Sequence, residues 1–400
     1  MNRFHAWIKR IEMAIELSEK QIKDGWQIVK FGEIAKEVKS TTKDPAEDGL
    51  ELYVGLEHLD PQSLRIARKG IIAEDNPSFT RRFSAGQILF GKRRCYQKKA
   101  AVADFEGICS GDIIVMDAIP KKIIPGLLPF IIQSDAFFDW AEKTSSGSLS
   151  PRTKWKSLAE FEFPLPPIER QKEILEVLEK LEENDLHISL LIDENEKAQR
   201  TIRHKYFSDK GIRKNEIVYL SSISHITMGQ SPKGSDYIDS KIDGSLPLLN
   251  GPAEFGKYSP TPVQYTKTVT KLAENGDILF CVRGSTTGRM NIADQRYCIG
   301  RGLAAISGKS GKASTDYVRQ ILIYMRDRIF EQAKGAGSTF PNISSDNLSK
   351  WPVRFLPTDV QEKVLNVLNN LEEIQHTLEA KKSHIQKVRH SFWEVSNELQ

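Results

Sequence analysis

Arg81, Arg82, Lys92, Arg93, Arg94, Lys98 and Lys99 share one stretch, RRFSAGQILFGKRRCYQKK, which contains no carboxylate and is punctuated by Tyr96. A second basic group follows at Arg152, Lys154 and Lys156, beside Trp155. Guanidinium groups present a planar fork that fits phosphates and guanine edges, lysines add point charges for phosphate, and exposed aromatic rings contact bases or sugars. For any one lysine a solvated loop is the more ordinary reading; for the cluster as a whole DNA is favoured. A related loop, VRGSTTGRMNIA, lies further along, with Arg283 and Arg289 set among Ser285, Thr286 and Thr287, whose hydroxyls suit phosphates or base edges.

The residues offer no catalytic or metal constellation beside these cations. DNPSF at 75–79 falls short of an adenine methyltransferase signature, because Ser78 stands at the second proline position and no glycine-rich cofactor loop precedes it; it reads as a turn. GQSPKGSDY at 229–237 has the wrong glycine spacing, and no Lys-Ser/Thr pair, for a phosphate-binding loop. The histidines sit mostly on helical segments without Cys or carboxylate companions, and no Ser-His-Asp arrangement follows from spacing. Cys95, Cys109, Cys281 and Cys298 have neither zinc spacing nor a disulfide framework, which fits a reducing cytoplasm. No apolar run is long enough for a membrane span, and charges inside the first apolar stretch argue against a signal peptide. Net charge of +4 over 400 residues says little about nucleic acid, so the case rests on where the charges sit.

The elements that must position the cations come in duplicate. AGQILFGKR at 85–93 matches NGDILFCVR at 275–283, an offset of 190 residues, and QKEILEVLEKLEE at 171–183 matches QEKVLNVLNNLEE at 361–373 in the same register. Each copy opens with short apolar runs split by Gly, Pro, Asp and Ser, the pattern of strands and turns. Each closes with some forty residues lacking Gly and Pro, a helix of roughly 60 Å. A three-four spacing predicts a coiled-coil seam through Ile174, Val177, Leu181, Ile188, Leu191 and Ile202 in the first helix, with Asn184 and Asn195 as polar interruptions. The second seam runs through Val364, Val367, Leu371, Ile374, Leu378, Ile385, Val388 and Phe392, with Lys381 out of place. Pro166 and Pro167 stiffen the first helix entry, and Thr358 with Gln361 reads as a capping box for the second.

The expected architecture is α+β: two tandem mixed domains separated by two long helices that pack as an antiparallel coiled coil with internal pseudo-twofold symmetry. The boundaries are an N-terminal helical segment at 1–25 with Phe4, Ile8, Ile11, Ile15 and Ile22 near one face, a first domain at 26–167, a first helix at 168–210, a second domain at 211–357 and a second helix at 358–400.

This doubled plan, the LPPIERQKEILEVL entry to a long helix, the paired GQILF and GDILF strands and GQSPKGSDY near the start of the second copy together resemble the specificity subunits of type I restriction-modification systems. The usual Glu-Gln after the prolines is Arg170-Gln171 and Val360-Gln361 here, and the second copy has the single Pro357. The resemblance implies a cytoplasmic prokaryotic protein with no catalytic centre, no metal and no cofactor of its own. It implies two target recognition domains, each reading one half of a bipartite asymmetric site in double-stranded DNA. It further implies helices that set the distance between halves and dock two methyltransferase subunits using S-adenosylmethionine. Restriction subunits using ATP and Mg would join through the complex. Two domains that each meet a major groove put the half-sites about one helical turn apart, some 34–36 Å. A coiled-coil scaffold carrying two protein-binding domains, and an autonomous DNA methyltransferase, are the competing readings. Sequence-selective DNA binding tells against the first, and absence of S-adenosylmethionine binding against the second.

Overall fold

The computed structural model describes residues 17–209, 216–335 and 341–395, with side chains of the last helix described as far as Arg389. Most of the N-terminal segment, including Phe4, Ile8, Ile11 and Ile15, therefore lies outside the described residues, as does the side chain of the seam residue Phe392, whereas Ile22 sits exposed on a helical turn, Glu19–Lys23. The chain forms two compact units, Met1–Ser189 with Glu379–Gln400, and Leu190–Leu378.

In the first unit the entry strand β1 (Gln27–Lys30) pairs antiparallel with the exit strand β10 (Glu162–Leu165), closing the domain on itself. Between them lie two four-stranded sheets. One is antiparallel, in the order β2 (Ala35–Val38), β9 (Ile113–Ala118), β6 (Ile88–Gly91), β7 (Ala100–Val102). The other has the order β4 (Gly70–Ile71), β3 (Leu52–Val54), β8 (Gly107–Cys109), β5 (Arg81–Phe83), with β3 and β8 parallel. The run Ile88-Leu89-Phe90 is apolar throughout because its sheet is covered on both faces. Ile88 and Phe90 enter one core with Ile114 and Met116, whereas Leu89 enters a second with Ile113 and Val115. The first core is closed by helix α1 (Asp135–Lys143), whose Phe137 and Phe138 pack on Phe90, and by Ile174 and Leu178 of the long helix α2 (Ile168–Phe207).

The second unit repeats this plan strand for strand. β11 (Ile217–Tyr219) pairs with β20 (Pro352–Arg354). The antiparallel sheet runs β12 (Ser224–Met228), β19 (Leu303–Gly308), β16 (Ile278–Cys281), β17 (Met290–Ile292). The mixed sheet runs β14 (Gln264–Thr266), β13 (Leu246–Leu249), β18 (Tyr297–Ile299), β15 (Leu272–Ala273), again with its central pair parallel. Helix α3 (Thr315–Lys334), capped by the Ser314 hydroxyl, covers the core that α1 covers in the first unit. Val364 and Leu368 of α4 (Thr358–Val395) close it, as Ile174 and Leu178 do.

The entry to each long helix is held by a glutamine, which at the second helix replaces the expected box of Thr358 and Gln361. Gln361 Nε2 donates to the carbonyls of Leu356 at 2.8 Å and Lys312 at 3.2 Å, so it does not reach back to Thr358. Gln171 does the same work in the first unit, donating to the Pro166 carbonyl at 2.9 Å and accepting from the Ile124 N–H at 3.0 Å. Both amides are buried, which explains why Gln is the member of the Glu-Gln pair that both copies keep.

The coiled-coil spacing is present but its phase is shifted. Ile174, Leu181, Ile188, Ile202, Val364, Leu371, Leu378 and Ile385 are buried or half-buried as expected. Val177, Leu191, Val367, Ile374 and Val388 are instead 50%, 55%, 47%, 49% and 38% exposed. One residue onward, Leu178, Leu368, Gln375 and Arg389 are buried in their place. A heptad is satisfied by either three-four or four-three steps, and the protein takes the four-three stripe, which turns Leu178 and Leu368 inward together with polar residues. The inward positions take polar side chains that find partners. In the second unit Asn195 Nδ2 donates to Gln375 Oε1 at 2.8 Å and to the Leu371 carbonyl at 2.9 Å, which sets α2 and α4 antiparallel there. In the first unit Arg389 pairs with Glu182 and donates to the Gln62 carbonyl at 2.8 Å.

Candidate nucleic-acid interface

The loop between β6 and β7 carries half of the first domain's expected cations, and backbone bonds lace it to neighbouring turns. Lys92 N–H donates to the Asp112 carbonyl at 2.9 Å and Arg94 N–H to the Pro151 carbonyl at 2.8 Å. This brings Arg152 beside Arg93 and both onto Asp112. Arg152 Nε donates to Asp112 Oδ1 at 2.8 Å and Arg93 Nη1 to Oδ2 at 3.4 Å. The hydrogen bond from Arg152 holds the Asp112 carboxyl below its ordinary range; burial opposes this, and the charges of Arg152, Arg93 and Lys92 reinforce it. Burial and the charge of Arg81 lower Lys92.

Sequence adjacency made these residues look like a run of unmatched charge, but the fold supplies carboxylates from elsewhere. Arg81 faces Glu37 at 3.4 Å, Arg82 faces Glu106 at 3.4 Å, and Lys98 pairs with Asp135. Lys99 Nζ donates to the Leu56 carbonyl at 2.7 Å. Trp155 is turned inward against Phe31 at 5.8 Å between ring centroids, so it is core rather than a base-stacking surface. Arg94, Tyr96 and Lys154 remain exposed. Arg94 has one side-chain contact, Nη2 to Ser150 Oγ at 3.4 Å, and adopts a left-handed backbone with φ 56°. Lys98, at the far end of the same turn, has φ 49°.

The equivalent loop of the second domain has the same frame with different chemistry. At the 190-residue offset Arg94 and Lys98 correspond to Gly284 and Gly288, whose φ values are 81° and 86°. Arg283 is exposed and bridges to Asn342 as Arg93 bridges to Arg152. Ser285 is exposed and Thr286 half-buried. Thr287, by contrast, is 3% exposed and spends its hydroxyl on the Gly284 carbonyl at 2.8 Å, so it holds the turn and is withdrawn from any ligand. Arg289 is exposed, with its guanidinium 5.8 Å from the Phe255 ring centroid.

Asp112, which orders the basic pair, carries no sequence signal, because its role depends on the β8–β9 turn meeting the β6–β7 loop. Ser231 and Tyr237, inside the GQSPKGSDY segment, send their hydroxyls to Asn250 rather than forming a phosphate loop. Among the described residues no cluster of His, Cys, Asp and Glu is arranged to hold a metal, and no helix is long and apolar enough to cross a membrane.

Comparison with known proteins agrees with the doubled plan. The model of the type I restriction modification DNA specificity domain matches the chain twice, over residues 23–193 and 213–387. A Methanocaldococcus jannaschii protein described as a type I restriction enzyme MjaX specificity subunit is 27% identical over 399 aligned positions, covering 92% of this chain and 90% of that one. The crystal structure of the type I restriction-modification S subunit from M. genitalium superposes with a TM-score of 0.59 at 15% identity, covering 95% of this chain and 97% of that one. A chain from a structure of the type I R-M system, described for its complex assembly and conformational transition, gives a TM-score of 0.58 at 23% identity, with 95% and 98% covered. The structural likenesses establish the fold.

Proposed function

The chain belongs to the type I restriction modification DNA specificity family, and on that premise we propose that each of its two domains reads one half of a bipartite, asymmetric site in double-stranded DNA. The observation that supports this most directly is the pairing of an identical strand order with dissimilar loops. Arg93-Arg94 on one frame and Arg283-Gly284 on the other, with Asp112 present in one copy and glycine at its counterpart Gly302, suit two unrelated half-sites.

In this reading Arg94, Tyr96, Lys154, Arg283, Ser285 and Arg289 meet the duplex directly, and Arg93 with Arg152 forms a fork stiffened by Asp112. Lys92, Lys98 and Lys99 shape the loop of the first domain, Arg81 and Arg82 on β5 add to the local potential, and Thr286 stands at the edge of the second domain's loop. The specificity subunit performs no chemistry; two methyltransferase subunits supply methyl transfer from S-adenosylmethionine, and restriction subunits supply ATP- and Mg-dependent cleavage. The long helices set the spacing between half-sites.

The same helices offer docking ground for the methyltransferases. Val367 and Ile374 face outward from α4, and Asn370, Glu373, Ile374, Thr377 and Leu378 line a groove of about 450 Å³. Exposed apolar side chains in a row on a charged helix mark a surface that gains by being covered. Val367→Glu with Ile374→Glu lowers affinity for the co-expressed methyltransferase subunit at least tenfold while the circular dichroism spectrum stays unchanged; equal affinity in titration removes this face from the interface. For the function as a whole, single-molecule sequencing of host DNA with and without the gene is decisive. Loss of methyladenine from one split motif is the expected result, and an unchanged methylation pattern refutes the reading.

A further inference from the structure

At one end of the second domain the loops following β12, β13, β16 and β18 converge. Gln230 N–H donates to the Ile299 carbonyl at 2.9 Å, Gly300 N–H to the Leu249 carbonyl at 2.8 Å, and Val282 N–H to the Gly302 carbonyl at 3.0 Å. The backbones touch: a Cβ at Gly300 would stand 2.3 Å from Asn250 Oδ1, and one at Gly302 2.3 Å from the Asn250 carbonyl oxygen. Glycine at these two places lets the loops close, and the closure fixes Asn250.

A directed hydrogen-bond chain starts from that residue. Ser231 Oγ and Tyr237 OH both donate to Asn250 Oδ1 at 3.2 Å, which leaves the amide nitrogen free to donate elsewhere. Asn250 Nδ2 then donates to Gln264 Oε1 at 3.4 Å. Gln264 lies on the edge strand β14, half-buried, with its amide orientation set by this contact. Its Oε1 keeps a second lone pair, and its Nε2 has no hydrogen-bond partner among the described residues. One oriented acceptor beside one free donor is the complement of the adenine N6–H and N7 pair in the major groove; guanine offers two acceptors there, cytosine a donor and thymine an acceptor. Exposed Lys233, Arg283 and Arg301 belong to the same converging loops and suit the flanking phosphates.

We propose that Gln264 is a base-reading side chain of the second domain, taking an adenine edge, and that Asn250 is the residue that positions it. The proposal rests on the reading of the chain as a two-domain DNA reader and adds a base and a residue to it. The test uses the full chain purified with its co-expressed methyltransferase subunit and a library of randomised duplexes, selected by binding and sequenced. Wild type selects a split motif with adenine at one position of one half-site. Gln264→Ala lowers the preference at that position about ten- to hundredfold and leaves the rest of that half-site and the whole of the other unchanged. The near-isosteric Gln264→Glu, an acceptor only, moves the preference toward cytosine, and Asn250→Ala blurs the same position without changing subunit assembly. An unchanged motif with both Gln264 variants overturns the assignment, as does a loss spread over both half-sites. Failure of wild type to select any split motif instead overturns the two-domain reading on which the assignment rests.

Discussion

Glu372→Ala destabilises the second unit by about 3–5 kcal/mol, the cost of leaving buried guanidinium charge uncompensated. The Glu372 carboxylate is the hub of a mostly buried network: Arg319 Nη2 donates to it at 2.7 Å, Gln320 Nε2 at 2.9 Å and Arg203 Nη2 at 3.0 Å. Arg203, 8% exposed, also donates to Gln320 Oε1 at 2.8 Å and Gln199 Oε1 at 3.0 Å. Removing the glutamate leaves Arg203 and Arg319 facing one another, whereas Arg203→Ala leaves Arg319 on the carboxylate and costs less. Hydrogen exchange of α3 and α4 amides measures both, and a larger loss in Arg203→Ala reverses the assignment of the hub. Burial alone would raise the Glu372 pKa; the hydrogen bond and charge of Arg319, aided by Gln320 and Arg203, outweigh it and hold the group below its ordinary value. Its contribution to stability is therefore complete at neutral pH and is lost as pH falls through the depressed folded value, on the acid side of the ordinary glutamate range.

An equivalent carboxylate stands 190 residues earlier, Glu182, and it too meets an inward arginine, Arg389. Neither lock was legible in the sequence. A polar residue at a heptad position looks like a defect until its partner is known, and the carboxylate partners of Arg203 and Arg389 lie more than 160 residues away. The same limit hid Glu37, Glu106, Asp112 and Asp135 from the reading of the basic stretch: a list of cations along the chain contains no information about which carboxylates the sheets bring beside it. The doubled architecture was legible because it needs only self-comparison. Continuous apolar runs such as Ile88-Leu89-Phe90 told of buried strands because a sheet covered on both faces leaves no polar alternation. The phase of the coiled coil was not legible because two stripes are equally spaced and the inward one carries Gln375 and Arg389, whose partners are distant in sequence; the protein places Val367 and Ile374 on the outer one.

The internal repeat also held a signal about the site. Setting the copies in register places Arg94 and Lys98 on Gly284 and Gly288, so the shared turn asks for left-handed backbone at two positions where the first copy has long cationic side chains. An L side chain in that region costs roughly 1–2 kcal/mol, partly offset because glycine loses about 0.5–1 kcal/mol more chain entropy on folding. A strained residue that glycine would relieve points to a function for its side chain. Arg94→Gly should therefore stabilise the first unit by about 0.5–1 kcal/mol while lowering selectivity at one half-site about tenfold, and it should leave the other half-site unread by this loop untouched. The converse substitution, Gly284→Ala, meets no atom within 4 Å of its new Cβ and so isolates the backbone term, costing the second unit about 1 kcal/mol. Denaturant unfolding combined with selection from the randomised library reads both quantities on the same proteins. If Arg94→Gly gains stability and keeps the full motif, the arginine is a relic of the turn rather than a reader; if it loses stability, the contact of the Arg94 guanidinium with Ser150 outweighs the strain and the turn is held by its side chain.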